Sequence, residues 1–150
     1  MKQAIFSLFM VVLVAGCASN PQPSVAEANK ALVTSFYQEV LFEGKHQAID
    51  KYIGDIYIQH NPSVADGKQA FTDMIKSFVP ADGKMEPWGE IIRVIAEDDL
   101  VVLHIKNYNW PGKNGGAVID IFRVKDGKIV EHWDVIQAIP DNPANDNTMF

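Results

Sequence analysis

Near residue 80 the apolar residues change their period, and this change limits the fold more than any other feature of the chain. Before it, Leu32, Val33, Phe36, Tyr37, Val40 and Leu41 recur at three- and four-residue intervals, with Glu27, Lys30 and Glu39 between them. Such spacing lays one apolar stripe along a helix that begins at Ala26 and stops at Gly44. Ala48, Ile49, Tyr52 and Ile53 predict a second, shorter helix ending near Gly54, and Lys68 to Phe78 a third that buries Phe71, Ile75 and Phe78. Between them, Asp55 to Gly67 reads as irregular, because Pro62 and Asp66-Gly67 break any period. Beyond Pro80 and Asp82-Gly83, short alternations predict strands over Glu90 to Ala96, Leu100 to Asn109, Ala117 to Lys125 and Ile129 to Ile139. Helices followed by an antiparallel sheet make an α+β domain over residues 26–139 and argue against a parallel βαβ fold. No glycine-rich loop follows a strand, so a nucleotide site is not expected.

The ends of the chain differ from this domain. Lys2 precedes apolar runs at Ala4 to Phe6 and Leu8 to Ala15, and Gly16 stands before Cys17. The run is short of the roughly 20 residues a membrane span needs and ends in small residues, so residues 1–16 read as a signal peptide. Val14-Ala15-Gly16-Cys17 resembles the lipobox of bacterial lipoproteins, which implies a lipid on the Cys17 thiol and cleavage before it. Residues 17–25 are then the lipidated cysteine and a polar tether, and residues 140–150 a polar, disordered tail. In the lipoprotein sorting pattern that this resembles, Ala18 rather than an aspartate after the cysteine implies the outer membrane, facing the periplasm.

Cys17 is the one cysteine, which leaves no intramolecular disulfide, no thiolate zinc cluster and no free catalytic thiol. The 13 basic and 19 acidic residues give −6, or −7 once Lys2 is removed, a poor surface for nucleic acid. The histidines and acids show no metal-ligand spacing, and nothing in the sequence calls for a metal or cofactor.

The stretch Asp120 to Asp134, DIFRVKDGKIVEHWD, predicts a hairpin with ionisable groups where core residues are expected. If the turn is Lys125-Asp126-Gly127, with Gly127 as a bulge, Val124 faces Lys128 and Asp120 faces His132. Asp120, His132 and Asp134 then share a face with Val118, Phe122, Val130 and Ile136. A two-residue turn at Asp126-Gly127 instead sets Asp120 opposite Trp133 and sends His132 and Asp134 to the other face. In the first register the three line a pocket, where an Asp–His pair is poised for proton transfer; in the second they are ordinary surface groups. Both registers remain open at this level.

Tyr57 to Pro62, YIQHNP, lies in the irregular segment and can aim His60 or Asn61 at a substrate oxygen, or can be a simple turn. His104 interrupts an apolar strand on the face opposite Val101, Leu103 and Ile105, so its candidacy as a substrate-binding residue is the weakest.

Together, the helices-then-sheet order, YIQHNPSVADGKQAF at Tyr57 to Phe71 and the hairpin resemble the SnoaL-like family, of the nuclear-transport-factor-two-like superfamily. The resemblance implies three helices packed on a curved antiparallel sheet, a cone that encloses a pocket, and often a homodimer through the sheet. In the family's polyketide cyclases an aspartate late in the last long strand is the acid/base of an aldol step, and Asp134 matches it. A cyclase histidine corresponds to Asp120, a glutamine to Val118, and an asparagine before proline to Asn61. Two polar positions therefore differ from the cyclase pattern.

Two functions follow as expectations. One is a cofactor-independent acid/base enzyme of isomerase, aldol or cyclase type, acting on a small carbonyl compound with Asp134, His132 and Asp120 catalytic. The other is a non-catalytic lipoprotein that binds a small apolar ligand or a protein. The anchor is testable alone: Cys17→Ser is expected to move the protein from the membrane to the soluble fraction, and continued lipid labelling of the variant would contradict it.

Overall fold

The computed structural model describes residues 22–83 and 85–150, so the expected signal segment and Cys17 lie outside the described residues. Helix α1 (Val25–Phe36) starts at Ser24, whose hydroxyl accepts from the Glu27 backbone N–H at 3.2 Å and satisfies one of the free donors of the first turn. It runs on into a wider π-helical turn, Tyr37–Phe42, and the chain leaves it through Gly44 at φ +67°. The wider turn places Phe36, Tyr37 and Val40 together on the buried side.

Helix α2 (Ile49–Tyr52) is a single turn and passes directly into strand β1 (Ile53–Gln59). This strand lies where the sequence predicts a helix end and an irregular loop. Ile53, Ile56, Tyr57 and Ile58 favour a strand, but Gly54-Asp55 reads as a turn and the strand's burial follows no two-residue period. Helix α3 (Lys68–Phe78) follows, then β2 (Gly89–Glu97), β3 (Leu100–Asn107), β4 (Gly116–Lys125) and β5 (Lys128–Ala138). The sheet order is β1-β5-β4-β3-β2, curved but not closed into a barrel. It is mixed: β1 pairs parallel with β5 along one edge, and the other pairs are antiparallel.

The helices cover one face of the sheet. The Phe36 ring centre lies 5.8 Å from those of Tyr52 and Phe122 and 5.9 Å from that of Phe71. Such aromatic pairs add about 0.5–1.5 kcal/mol each beyond the area they bury. Val101, Leu103 and Ile105 of β3 are wholly buried beneath them, whereas Ile95 and Val135 stand exposed on the outer face.

The β4–β5 hairpin turns on Asp126 and Gly127 alone, at φ 51° and 71°, so Lys125 pairs with Lys128 and Val124 with Ile129. Continued unchanged, that register would carry His132 and Asp134 to the outer face. It shifts once. Val130 stands as an extra residue, and beyond it Arg123 pairs with Glu131, Phe122 with His132 and Asp120 with Asp134. The turn is thus the two-residue one and the face that of the three-residue alternative, while Asp120 faces Asp134 across the strands instead of His132. The bulge packs on β1 at Gly54, where a Cβ would lie 3.2 Å from Val130 Cγ1.

Residues 140–150 form no helix or strand. Asp141 pairs with Lys113 at 3.0 Å and accepts from Asn114 at 2.8 Å, and the Phe150 ring lies over His104 with centres 5.5 Å apart.

Candidate active site

The shifted hairpin sets Asp120, His132 and Asp134 on the inner face, with Asp120 5 % and His132 9 % exposed. Ionisable groups are tolerated there only when their polar atoms are partnered. His132 Nδ1 is 2.9 Å from Gln59 Oε1, and that same oxygen accepts from the Asn61 backbone N–H at 2.9 Å. The backbone donor fixes the amide with its oxygen toward the ring, so Nδ1 carries a proton. His132 Nε2 in turn is 3.1 Å from Asp120 Oδ1. With Nδ1 donating to Gln59, a hydrogen bond at this second contact needs a proton between the imidazole and the carboxyl. The remaining Asp120 oxygen accepts from the Tyr37 hydroxyl at 2.7 Å.

Asp134 is held differently. Its Oδ2 accepts from Asn61 Nδ2 at 2.6 Å, and Asn61 Oδ1 accepts from the Ser63 backbone N–H at 2.8 Å, which fixes that amide as a donor. Asp134 Oδ1 has no hydrogen-bond partner among the described residues. Burial pushes the Tyr37 phenol well above its ordinary pKa, with the Asp120 charge and hydrogen bond and then the Asp134 charge adding to it. Burial raises the Tyr57 phenol as well, with Asp120 next in weight. Both phenols therefore remain neutral: Tyr37 donates to Asp120, and Tyr57 accepts from Gln59 Nε2 at 3.4 Å.

These groups line one end of a cavity of about 850 Å³. Its other walls are mostly apolar, among them Phe36, Leu41, Phe71, Met74, Trp88 and Ile136. Of the residues singled out from sequence, Asp120, His132, Asp134 and Asn61 meet at this cavity. His60 does not. Its ring stacks on Trp133 at 4.7 Å and its Nε2 is 2.8 Å from Glu131 Oε1, because the residue follows the end of β1 and packs against the outer side of β5. His104 is also on the outer face, 2.7 Å from Arg93 Nη1. Tyr37 and Gln59 reach the site without having been singled out: Tyr37 is hidden in the apolar period of α1, and Gln59 belongs to a strand the sequence masks.

Asp120, His132 and Asp134 can each offer a ligand atom, and these lie within 4.8 Å of one another. The sequence shows no ligand spacing because the three converge only through the β4–β5 pairing. They are the residues that would hold a cation if one entered.

The sequence profile of the SnoaL-like polyketide cyclases matches residues 31–140. The chain belongs to that family. Solved structures share its fold. A candidate polyketide cyclase from Acidithiobacillus ferrooxidans is 18 % identical, with a TM-score of 0.55 over 76 % of this chain and 91 % of that one. A candidate ketosteroid isomerase from Kribbella flavida is 14 % identical, with a TM-score of 0.62 over 80 % and 85 %. An LEH-like epoxide hydrolase from M. tuberculosis is 19 % identical, with a TM-score of 0.58 over 75 % and 84 %. At these identities the likeness is one of fold. No curated protein sequence matches the chain.

The raised phenols have a consequence for stability. Above about pH 10 the unfolded chain releases its phenol protons while the folded chain keeps those of Tyr37 and Tyr57, so stability falls as pH rises, by about 1.4 kcal/mol per pH unit for each. Urea unfolding across this range is expected to show a shallower decline for Tyr37→Phe than for wild type, by about that slope. Parallel curves would contradict a buried, neutral Tyr37.

Proposed function

We propose that the SnoaL-like domain is a cofactor-independent acid/base enzyme that moves a proton beside the carbonyl of a small, largely apolar compound. The observation that carries this reading is Asp134, with one oxygen fixed by Asn61 and the other unpaired among the described residues, at the wall of a largely apolar cavity. A carboxylate in that setting presents a free oxygen to whatever occupies the cavity and can serve there as a base.

In the reaction, Asp134 Oδ1 takes a proton from the carbon next to the carbonyl. The C–H electron pair becomes the second bond of a C=C, and the carbonyl oxygen takes up the negative charge. The proton between His132 and Asp120 is available to that oxygen, and the Tyr37 hydroxyl steadies Asp120 as it changes charge. Return of the proton from Asp134 to a different carbon completes an isomerisation; attack of the enol carbon on a second carbonyl completes an aldol or cyclase step. The departures at Asp120 and Val118 from the cyclase pattern favour a substrate other than a cyclising polyketide. The lipobox-like Val14 to Cys17 supports a place for this chemistry on a lipid anchor in the envelope, at the outer membrane.

Proton exchange tests the reading without knowledge of the substrate. In D₂O the wild type is expected to speed loss of the α-proton NMR signals of simple aryl methyl ketones. Asp134→Asn, with an unchanged melting midpoint, is expected to slow that exchange by about 10²–10⁴-fold. Equal exchange by the variant would discard the acid/base role, and ketone binding without any exchange in the wild type would favour the non-catalytic ligand-binding protein.

A further inference from the structure

The cavity has a second polar end. Along β3, Val101, Leu103, Ile105 and Asn107 alternate onto the inner face; the first three are wholly buried apolar residues, and Asn107 is 5 % exposed. An asparagine in that row is out of place unless both halves of its amide are used. One half is: Asn107 Oδ1 accepts from the Asn109 backbone N–H at 3.3 Å, which turns Nδ2 the other way. The two N–H groups of Nδ2 have no protein partner among the described residues, and the side chain lines the same cavity as Asp120, His132 and Asp134.

The strand pairing gives the separation of the two ends. Asn107 is opposite Gly116 and Leu103 opposite Asp120. Four residues at roughly 3.3 Å each put about 13 Å of strand between the Asn107 row and the Asp120 row. Between them the strands present apolar side chains, with Ile105 opposite Val118 and Val118 opposite Ile136.

We infer that the ligand is an elongated molecule with an apolar body and an oxygen acceptor at each end: a reacting carbonyl at Asp134, and a second carbonyl or ether oxygen that accepts from Asn107 Nδ2. Asn107 is thus a specificity residue, which selects length and end group and takes no part in the proton transfer. The inference rests on the reading of this cavity as a carbonyl site and sharpens it to a substrate class. A ligand with the distal oxygen satisfies the N–H donors at the cavity wall, whereas a ligand without it covers them with carbon and forfeits the bond.

The probes are 4,4′-diacetylbiphenyl and 4-acetylbiphenyl, rigid and alike except for the distal carbonyl. Their binding is followed by quenching of tryptophan fluorescence, since Trp88 lines the cavity. Wild type is expected to bind the diketone about tenfold more tightly than the monoketone, the worth of one buried neutral hydrogen bond. In Asn107→Leu the preference is expected to vanish through loss of diketone affinity. Asn107→Asp, which keeps the shape and reverses the polarity, is expected to disfavour the diketone. The wild-type comparison needs no variant to fold. Equal affinity of wild type for the two probes, binding of neither up to their solubility, or an undiminished preference in both variants would overturn the inference. Binding requires no turnover, so a tenfold preference in a protein that exchanges no α-protons would sink the acid/base reading and leave the bipolar ligand in place.

Discussion

One unpaired residue in the last hairpin governs the site. The Asp126-Gly127 turn alone would give β5 the wrong parity, and the Val130 bulge restores it. Ile129 and His132, three positions apart, both face inward as a result, where an unbroken strand would separate them. Glu131 and Trp133 are turned out by the same shift, toward Arg123 and His60. The bulge is itself accommodated by Gly54 on the neighbouring edge strand, which links the placement of the ionisable groups to the short crossover from α2 into β1.

What makes such a face stable is that nearly every polar atom on it is spoken for. Gln59 orients His132, Asn61 orients Asp134, and Tyr37 and His132 divide the two oxygens of Asp120. A network satisfied to this degree is rigid, and removing a single partner would strand a buried charge. The exceptions are informative. Asp134 Oδ1 and Asn107 Nδ2 are left without partners among the described residues, an acceptor at one end of the cavity and a donor at the other.

The sequence made the helices and the four antiparallel strands legible because their apolar periods are strong. It concealed β1, since Gly54-Asp55 interrupts a run whose isoleucines otherwise favour a strand. Hairpin register was legible only as two alternatives, because a bulge leaves no residue signature when the extra position is an ordinary valine. Asp120, His132, Asp134 and Asn61 stand out by chemistry and do meet in space; His60 and His104 stand out equally and sit on the outer face. Tyr37, Gln59 and Asn107 were not singled out because each sits inside a pattern that explains it in bland terms. Tyr37 passes for a core residue of an amphipathic helix until the wider π turn and its bond to Asp120 are seen.

The account depends on a proton held between His132 and Asp120, with the imidazole oriented by Gln59. Long-range ¹H–¹⁵N NMR of the histidine rings tests this most directly. The account predicts that His132 carries a proton on Nδ1, slow to exchange with solvent, and that Gln59→Leu alters this ring's signals while leaving those of His46 and His104 unchanged. A His132 ring protonated on Nε2 alone, or exchanging as freely as an exposed histidine, would contradict it.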